Sequence, residues 1–372
     1  MTFETVTLSE VADIIVGFAF KSQDFNTNGN GVRLVRGKNI TKRSLRWGED
    51  TRWWSDFSID LSRYFLKEND IVIGMDGSLV GKNYAKITES DLPLLLVQRV
   101  ACIRAKKGIS QEYLWQIIAT PVFEKYIDTV KTGTTIPHIS GKQIGEYEIP
   151  YVDYETQLKI SGILSSIEER VLLNTAINEN LEQQAQAIYR SMFVTQHHDS
   201  DRMGLLSELI AVKYGKDHKK LNDGVYPVYG SGGVMRYVER PLYDKESVLI
   251  PRKGSLNNVM YVNEPFWSVD TMFYTEMKQP NVAKFVFHFV KSKDLASLNA
   301  GSAVPSMTTD ILNSMELRIP SADRLAEFEG IVAPLYRAIE DNIRQSASLA
   351  ALRDTLLPKL MNGEIDVSEV KI

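Results

Sequence analysis

The sequence predicts an α+β fold in which two β-rich globular segments alternate with two long helical segments as an internal repeat. Two observations predict it. Apolar residues recur every seven positions, with a second row four positions after the first, in two separate stretches. Short phrases also recur 168 positions apart, as TGTTIPHIS (132–140) does in AGSAVPSMT (300–308). The predicted globular segments are residues 1–150 and 199–320, and the predicted helical segments are residues 151–198 and 321–372.

Each globular segment contains short runs of β-branched and aromatic residues between turn residues, a pattern typical of a twisted sheet or a partly closed barrel. A helical stretch follows late in each segment, at 111–129 and 281–298, and we expect it to cover one end of the sheet. The predicted strands are 32–35, 70–73, 100–104, 225–229, 234–238, 248–250 and 259–262.

The first helical segment carries a two-row heptad seam over about five heptads, which is the signature of a coiled coil. No glycine or proline interrupts it from Ile163 to Phe193. The first row is Ile160, Ile167, Asn174, Leu181 and Ile188, and the second is Leu164, Val171, Asn178, Ala185 and Met192.

The second helical segment repeats this seam 168 positions later, so Asn174 and Asn342 occupy the same heptad layer. A polar layer costs stability but disfavours slipped registers, so the two helices can pair with each other. Pro334 predicts a kink, Arg353 interrupts the seam, and Gly363 suits a helix C-cap. The rows are Phe328, Leu335, Asn342, Leu349 and Leu356, then Val332, Ile339, Ser346, Arg353 and Leu360.

Further phrases match between the two halves, whereas the interiors of the globular segments differ almost everywhere. This division suggests one scaffold that presents two different recognition surfaces. The matches are Leu8-Ser9-Glu10 and Gly17 with Leu206-Ser207-Glu208 and Gly215, VIGMDGSL (72–79) with LIPRKGSL (249–256), and Ile149-Pro150 with Ile319-Pro320 if the second copy has two extra residues.

Composition limits the class of protein. The 372 residues, 44% hydrophobic and 24% charged, suffice for two or three soluble domains. The longest apolar run, Leu92 to Val97, is too short to span a bilayer, so we expect no membrane partner. The N-terminus has no signal-peptide pattern. Cys102 is the single cysteine, which excludes a disulfide framework and a cysteine-based zinc site and predicts a reducing, cytoplasmic location.

The net charge of −4 conceals an alternation along the chain. The globular segments are slightly basic, with 19 Lys and Arg against 18 Asp and Glu in residues 1–152, and 15 against 13 in residues 200–320. The helical segments are acidic, with 3 against 7 in residues 153–199, and 6 against 9 in residues 321–372. Such alternation allows different segments to have different partners.

The sequence predicts no catalytic residue and no metal ligand. GSLVGKN (77–83) lacks the spacing and the Ser or Thr of a phosphate-binding loop, so a strand–turn–strand is the better interpretation. GSGG (230–233) lacks the third glycine of a dinucleotide loop, because Met235 stands there. No Asn-Pro-Pro-aromatic tetrad of an amino-methyltransferase occurs. His197-His198 has no cysteine or third histidine nearby and fits a solvated helix end.

The remaining indication of function is positive charge interleaved with aromatic and amide side chains. It lies in RGKNITKRSLRW (36–47), KYGKDHKK (213–220) and PRKGSLNN (251–258), in both globular segments and in neither helix. Arg and Asn have forked hydrogen-bonding groups that match guanine and adenine edges, and Lys, Ser and glycine amides suit phosphates. Any one run on its own is better interpreted as a solvated loop, but the three together favour DNA binding.

Two other classes stay open on the residues alone. The chain could be a methyltransferase or nuclease with a divergent active site, which binding of S-adenosylmethionine to the isolated chain would reveal. It could also be a scaffold with two ligand-binding domains on a coiled-coil rod. Gel shifts with random DNA distinguish that case, because phosphate-driven binding weakens steeply with salt.

The layout resembles the DNA-specificity subunit of type I restriction–modification systems, and the resemblance covers nearly the whole chain. One position departs from the repeat: Gln157 follows the first conserved proline, and Leu325 or Glu327 falls at the corresponding place. The phrases that carry the resemblance are TGTTIPHISGKQIGEYEIPYVDYETQLKISGIL (132–164), YPVYGSGGV (226–234), SVLIPRKGSLNNVMYV (247–262), FWSVDTMF (266–273) and LRDTLLPKLMNGEI (352–365).

The resemblance implies a non-catalytic subunit with a pseudo-two-fold repeat. Its two long helices pack antiparallel as a coiled coil and separate two target-recognition domains, each of which reads one half of a bipartite, asymmetric site in double-stranded DNA. Two methyltransferase subunits, which carry S-adenosylmethionine, dock on the helices and methylate adenine. Two restriction subunits add ATP-driven translocation and cleavage. The chain itself then holds no cofactor, and its function is phage defence and DNA modification.

The residues expected to act fall into two groups. Those expected to contact DNA are Arg36, Lys38, Lys42, Arg43 and Arg46 in the first globular segment, Lys216, Lys219, Lys220, Arg252, Lys253 and Asn257 in the second, and Thr134 and Ser302 in the glycine-led loops before each helix. Those expected to pair the helices are Ile167, Asn174, Leu181, Leu335, Asn342 and Leu349.

Overall fold

The computed structural model describes residues 3–133, 135–196, 198–298 and 306–370. The chain folds as two compact units. The first unit comprises Met1–Leu173 and Gln345–Ile372, and the second comprises Asn174–Arg344. Each unit therefore contains one globular segment and one half of each long helix.

The first unit contains eleven strands among its described residues. They are β1 (Glu4–Thr7), β2 (Ala12–Val16), β3 (Val32–Val35), β4 (Ile40–Thr41), β5 (Ser44–Leu45), β6 (Trp53–Trp54), β7 (Ile71–Gly74), β8 (Tyr84–Lys86), β9 (Leu94–Leu96), β10 (Val100–Ala105) and β11 (Glu148–Tyr151). The helices that begin in this unit are α1 (Leu8–Val11), α2 (Gln111–Ile118), α3 (Pro121–Val130), α4 (Gly141–Gly145) and the long α5 (Tyr154–Tyr189).

The second unit repeats this order of elements. Helix α5 is followed by a π-helical stretch at Arg190–Thr195. The strands are β12 (Arg202–Leu205), β13 (Ile210–Tyr214), β14 (Asp223–Gly230), β15 (Gly233–Val238), β16 (Ser247–Pro251), β17 (Met260–Val262), β18 (Trp267–Ser268), β19 (Met272–Met277) and β20 (Glu316–Ile319). The helices are α6 (Ala283–Lys291), α7 (Thr309–Asn313) and the long α8 (Ala322–Met361).

The two units share one sheet topology. Each contains a four-stranded sheet, in the order β2-β10-β7-β8 in the first unit and β13-β19-β16-β17 in the second. Each also contains a three-stranded sheet, β6-β3-β9 or β15-β14-β18, whose pairs β3–β9 and β14–β18 are parallel. A two-stranded sheet, β1-β11 or β12-β20, completes each set. The hairpin β4-β5 has no counterpart among the described residues of the second unit.

Every strand predicted from the sequence is confirmed within one or two residues, but the predicted helices of the globular segments are partly wrong. The stretch 111–129 is two helices, because Pro121 starts α3 and the Thr120 hydroxyl accepts a hydrogen bond from Phe123 N at 3.1 Å. The stretch 281–298 is helical only over Ala283–Lys291. The segment 77–83 forms a turn between β7 and β8, as predicted.

Strand register corrects the alignment of the two halves. Thr7 lies opposite Glu148 in the first unit, and Leu205 lies opposite Glu316 in the second. The two pairs precede the matching phrases that begin at residues 8 and 206, so β11 corresponds to β20 without any insertion. The predicted match of Ile149-Pro150 with Ile319-Pro320 is therefore wrong by two positions. Strand pairing and burial fix the register of β20, and this strand has Arg318 where β11 has Pro150.

The matched glycines Gly17 and Gly215 have a shared physical cause. A Cβ atom at Gly17 would lie 2.2 Å from Val97 O, and one at Gly215 would lie 2.0 Å from Val269 O. Only glycine permits backbones to approach this closely. The match between these glycines is therefore confirmed as a scaffold feature, in which a loop after the second strand of each half crosses the turn before β10 or β19.

The long helices expose none of the seam positions predicted from the heptads. In the second unit, Asn174 Nδ2 donates to Asn342 O at 3.4 Å, and Asn342 Nδ2 donates to Asn178 Oδ1 at 2.8 Å. The ring of Phe328 contacts the ring of Tyr189 at 6.3 Å between centroids. Contacts thus run to lower numbers on α8 as they rise on α5, which is antiparallel packing.

The first unit shows the same antiparallel contacts in its own halves of the two helices. Leu164 shares a core cluster with Leu357 and Leu360, and Arg170 Nε donates to Gln345 Oε1 at 3.3 Å. Of the predicted pairing residues, Ile167 is buried here and Leu349 is half-buried. Leu181 and Leu335 are half-buried in the second unit.

Helix α8 continues through Pro334, and the kink predicted at this residue stays a prediction. Val332 and Tyr336 on either side of it are buried, and their packing outweighs the one backbone hydrogen bond that proline removes. The interruption expected at Arg353 is accommodated, because its guanidinium lies 3.7 Å from Glu168 Oε1. Gly363 follows the helix with φ of 76°, as its predicted capping role requires.

The surroundings of Gln157 explain why the two halves differ at this position of the repeat. It is buried, and its Oε1 accepts from Ser110 N at 2.8 Å while its Nε2 donates to Val152 O at 2.8 Å. Leu325 is buried at the corresponding position of the second unit. The same place in the scaffold is therefore held by hydrogen bonds in one unit and by apolar packing in the other.

Candidate nucleic-acid interface

Four segments of the first unit line a cleft of about 600 Å³. They are residues 20–25, 36–38, 76 and 97–99, and we refer to them together as the first basic face. The face carries the cations Lys21, Arg36, Lys38 and Arg99 and two carboxylates. It also presents the amide side chains of Gln23 and Gln98, both exposed.

Backbone hydrogen bonds hold the segments of the first basic face together. Gln98 N donates to Phe18 O at 2.7 Å, Val97 N donates to Val35 O at 3.2 Å, and Met75 N donates to Arg99 O at 2.9 Å. The turn 97–99 is thus bonded to residues that lie close in the chain to each of the other three segments. Side chains on such a turn are presented from a fixed backbone rather than from a free loop.

The second unit repeats this construction with different side chains. Lys216 N donates to Ser268 O at 2.8 Å, Val269 N to Tyr229 O at 3.1 Å, and Arg252 N to Thr271 O at 2.8 Å. The corresponding segments are residues 215–220, 230–232, 252–253 and 269–271, which we call the second basic face. Its cations are Lys216, Lys219, Lys220, Arg252 and Lys253, and its carboxylates are Asp217 and Asp270.

Two of the five first-segment candidates lie on the first basic face. Lys38 pairs with Asp50 at 2.7 Å, and Arg36 donates to the backbone carbonyl of Asp50. Burial lowers the pKa of the Arg36 guanidinium, and the charge of Arg52 acts in the same direction while Asp50 opposes them. Arg46 is exposed and lines a neighbouring cleft of about 570 Å³ that includes Lys38.

Lys42 and Arg43 form the turn of the β4-β5 hairpin and contact helices instead. Lys42 Nζ lies 2.9 Å from Glu124 Oε1 on α3. The Arg43 guanidinium donates to the Glu168 carboxylate on α5 and to Ala119 O at 2.6 Å. Its charge also lies 5.6 Å from the centroid of the Trp115 ring. The structure therefore gives the Arg43 guanidinium intramolecular partners and does not bring it to the first basic face.

The second-segment candidates lie together, with one exception. Lys216, Lys219, Lys220 and Lys253 are exposed, and they form no ion pair with any residue in the described part of the chain. Arg252 is half-buried. Asn257 differs, because its Nδ2 donates to Asp294 Oδ1 at 3.0 Å and its Oδ1 accepts from Ala296 N at 3.0 Å. Both groups of its side-chain amide are thus hydrogen-bonded to the segment that follows α6.

Thr134 and Ser302 lie outside the described residues. Their neighbours show how the two glycine-led loops are attached. Ile139 N donates to Met75 O at 2.9 Å, and Met307 N donates to Arg252 O at 2.9 Å. The helix that follows each loop starts in the same way, since the Ser140 and Thr308 hydroxyls accept from Gln143 N and Ile311 N at 3.2 and 3.3 Å.

Sequence reasoning missed four residues of the first basic face: Lys21, Gln23, Gln98 and Arg99. They lie outside the basic runs, so charge density along the sequence gives no signal for them. One signal was present. VQRV (97–100) stands where VDTM (269–272) stands in the other half, directly before β10 and β19. A repeat in which the framework matches and two central residues differ marks a variable surface position.

The described residues offer little for other chemistry. They contain no group of three or more His, Cys, Asp or Glu side chains placed to hold a metal ion. Burial raises the pKa of the Cys102 thiol well above its ordinary value, which keeps the sulfur protonated and unreactive. Among the helices formed by described residues, none combines the length and apolar character needed to cross a membrane.

Comparison with known proteins identifies the family. The model of the type I restriction modification DNA specificity domain matches residues 1–183 and 206–345. The chain is 23% identical to the type I restriction enzyme MjaIX specificity subunit of Methanocaldococcus jannaschii, over 89% of this chain and 90% of that protein. It is 33% identical to the EcoAI specificity subunit of Escherichia coli, over 45% of this chain and 28% of that protein.

The fold is also that of a solved structure. The type I restriction–modification S subunit from M. genitalium matches with a TM-score of 0.58 and 19% identity, over 97% of this chain and 96% of that one. Two matched regions of the family model coincide with the two halves of the repeat. The resemblance noted in the sequence is confirmed: the chain belongs to the family of type I restriction–modification DNA specificity subunits.

Proposed function

We propose that this chain is the non-catalytic, sequence-specific DNA-binding subunit of a type I restriction–modification complex. Each basic face reads one half of a bipartite, asymmetric site in double-stranded DNA. The observation that carries the proposal is the pair of basic faces, which share one set of backbone hydrogen bonds and differ in their side chains. A duplicated framework with unlike surfaces suits a ligand whose two halves are alike in backbone and unlike in sequence.

The charges of the two faces support DNA as the ligand. Each face has more cations than carboxylates, although the whole chain carries a net charge of −4. Lysines near phosphates release condensed counterions and provide affinity without sequence information. Arginine and amide side chains provide the base contacts. Both kinds of side chain occur on each unit's globular part.

We further propose that the long helices dock two methyltransferase subunits and set the spacer between half-sites. Large apolar residues are exposed on the helices, including Leu172 at 69% and Leu173 at 49% in the first unit and Ile343 at 58% in the second. Contiguous exposed apolar surface marks sites of protein interaction, and Leu172 and Leu173 are adjacent on α5. S-adenosylmethionine and ATP then belong to the methyltransferase and restriction subunits, and this chain binds neither.

The proposal is tested by sequencing methylated DNA from cells that express the methyltransferase subunit with and without this chain. We expect adenine methylation at one bipartite motif with a fixed spacer, and only when the chain is present. Methylation that is absent, or that does not depend on the chain, contradicts the proposal. Binding of S-adenosylmethionine by the isolated chain would instead favour an enzyme.

The spacer part of the proposal has a separate test. Four residues, about one helical turn, are inserted into α5 beside Asn174, and the methylated sites are mapped again. We expect the spacer length to change while both half-site sequences stay the same. The matched control inserts four residues into the exposed loop at residues 26–31. An unchanged spacer in the α5 variant contradicts the role of the helices in measuring DNA.

A further inference from the structure

We propose that one arginine at an equivalent place in each unit reads a guanine: Arg99 in the half-site bound by the first unit, and Arg252 in the half-site bound by the second. The inference rests on the proposed function and adds which side chains discriminate between bases. Its basis is that an arginine lies at the same backbone junction in each unit, although it comes from a different segment of the junction.

Three backbone segments meet at this position in each unit. In the first unit they are the turn 97–99, the segment 75–77 that follows β7 and the segment 137–139. Met75 N donates to Arg99 O and Ile139 N donates to Met75 O, both at 2.9 Å. In the second unit Arg252 N donates to Thr271 O at 2.8 Å, and Met307 N donates to Arg252 O at 2.9 Å.

These hydrogen bonds define which residues correspond. Arg99 corresponds to Thr271, and Met75 corresponds to Arg252. A guanidinium is therefore present at the junction in both units, but the first unit supplies it from the turn and the second from the neighbouring strand end. Simple repetition of sequence would have kept it on one segment. An arginine therefore recurs at this junction in both units, on a different one of its segments in each.

Each guanidinium is anchored by a partner at its own junction, a carboxylate for Arg99 and a backbone carbonyl with an aromatic ring for Arg252. Arg99 Nη1 lies 3.1 Å from Asp76 Oδ2, and Arg252 Nη1 donates to Asp270 O at 3.3 Å. The Arg252 guanidinium also lies 5.4 Å from the centroid of the Tyr214 ring. Each contact orients the group while leaving most of its five N–H donors free. A guanidinium held in this way keeps free the pair of N–H donors that can bond O6 and N7 of guanine.

Two further observations separate Arg99 from an ordinary surface arginine. Its side chain is 66% exposed although its backbone is hydrogen-bonded into the junction. Its φ is +65°, a left-handed conformation that non-glycine residues rarely adopt. Backbone strain of this kind persists where the surrounding structure enforces it, and it concentrates at functional sites. Phosphate contacts need no such orientation, and the lysines of both faces supply them.

The test maps methylated sites for the full chain expressed with its methyltransferase subunit, comparing wild type with Arg99→Ala, Arg99→Lys and Arg252→Ala. Arg99→Ala is expected to lower discrimination at one guanine of one half-site by about tenfold or more, and to leave the other half-site unchanged. Arg252→Ala is expected to do the same in the other half-site. Arg99→Lys should also relax that guanine, because an ammonium group cannot bond both acceptors in the plane.

Arg63→Ala is the matched control, since Arg63 is an exposed arginine of the first unit outside the basic face. It should leave the motif as in wild type. If Arg99→Ala weakens methylation evenly at all sites, or leaves the motif unchanged, the guanine assignment is overturned while the proposed function stands. If wild type shows no bipartite motif, the proposed function itself fails. A lysine variant that retains full guanine preference also overturns the assignment.

Discussion

The two units build the same scaffold but hold their cations differently. In the first unit Lys38, Lys42 and Arg99 each pair with a carboxylate of the protein, and Lys21 alone of the basic-face lysines is exposed without an ion pair to a described residue. In the second unit Lys219 and Lys253 are exposed and form no ion pair with a described residue. A cation that already has a protein partner gains less from a phosphate. The comparison therefore suggests that the second unit supplies more of the salt-dependent affinity for DNA.

The units also differ in how their globular parts attach to the helices. Glu168 and Tyr336 stand at the same position of the repeat, 168 residues apart. Glu168 accepts from Trp115 Nε1 at 3.1 Å, whereas Tyr336 meets His288 Nε2 at 3.0 Å. Burial acts to raise the pKa of Glu168, but Arg43 and the hydrogen bonds outweigh it and hold that pKa below its ordinary value. At this repeat position the contact is ionic in the first unit and neutral and aromatic in the second, where ion pairs to the helices come instead from Lys284 with Glu329 and Lys291 with Glu182.

The largest effect expected from this comparison is on stability. Phe328→Ala empties an aromatic cluster in which Phe328 lies 5.2 Å from Phe193 and 6.0 Å from His288, ring centre to ring centre. We expect the free energy of unfolding to fall by about 3–5 kcal/mol. The matched variant is Ile160→Ala at the same repeat position of the first unit, which should cost about 2–4 kcal/mol. Urea denaturation measures both, and a larger loss for Ile160→Ala contradicts the contrast.

A smaller effect is expected on the pH dependence of stability. Burial lowers the pKa of His288 to about 3, and the Lys291 charge acts in the same direction. An unfolded histidine titrates near 6.5, so the unfolded chain binds more protons than the folded chain below that pH. The contribution of neutral His288 to the free energy of unfolding is therefore fully present above about pH 6.5. It falls as the pH decreases below that value, by at most about 1.4 kcal/mol per pH unit.

His288→Gln tests this expectation. Urea midpoints at pH 7.5, 6.5 and 5.5 should decline less steeply in this variant than in wild type, because the group that must remain neutral is gone. His198→Gln changes an exposed histidine and serves as the control. Equal slopes for wild type and His288→Gln would show that this histidine accepts a proton in the folded chain.

The smallest effect expected is on the salt dependence of DNA binding. Lys219→Ala should reduce the slope of log affinity against log salt by about one, since one phosphate contact is lost. Lys38→Ala should reduce it by less, because Lys38 already pairs with Asp50. Binding to duplex DNA at several salt concentrations, for the chain in complex with its methyltransferase subunit, measures both. Equal reductions would remove the distinction between the two basic faces.

Local pattern was sufficient for much of the fold and for only part of the candidate site. The heptad rows identified positions of both long helices that are buried or half-buried, and the β-type runs identified the strands, because both periods follow from backbone geometry. The site was harder. Arg43 lies in the densest basic run yet binds Glu168, 125 residues later in the chain. Arg99 lies in no such run, yet it lines the first basic face.

The sequence by itself determined the family, the internal repeat, the long helices with their buried rows and the glycines where two backbones cross. These depend on periodicity and on steric limits that act over a few residues. Only the tertiary structure decided the strand register between the halves, which cations are paired or free, and the placement of Arg99 and Arg252 at the same junction of their units. Those outcomes depend on which distant segments pack together, and the free energy of that packing is not written in any single stretch of the chain.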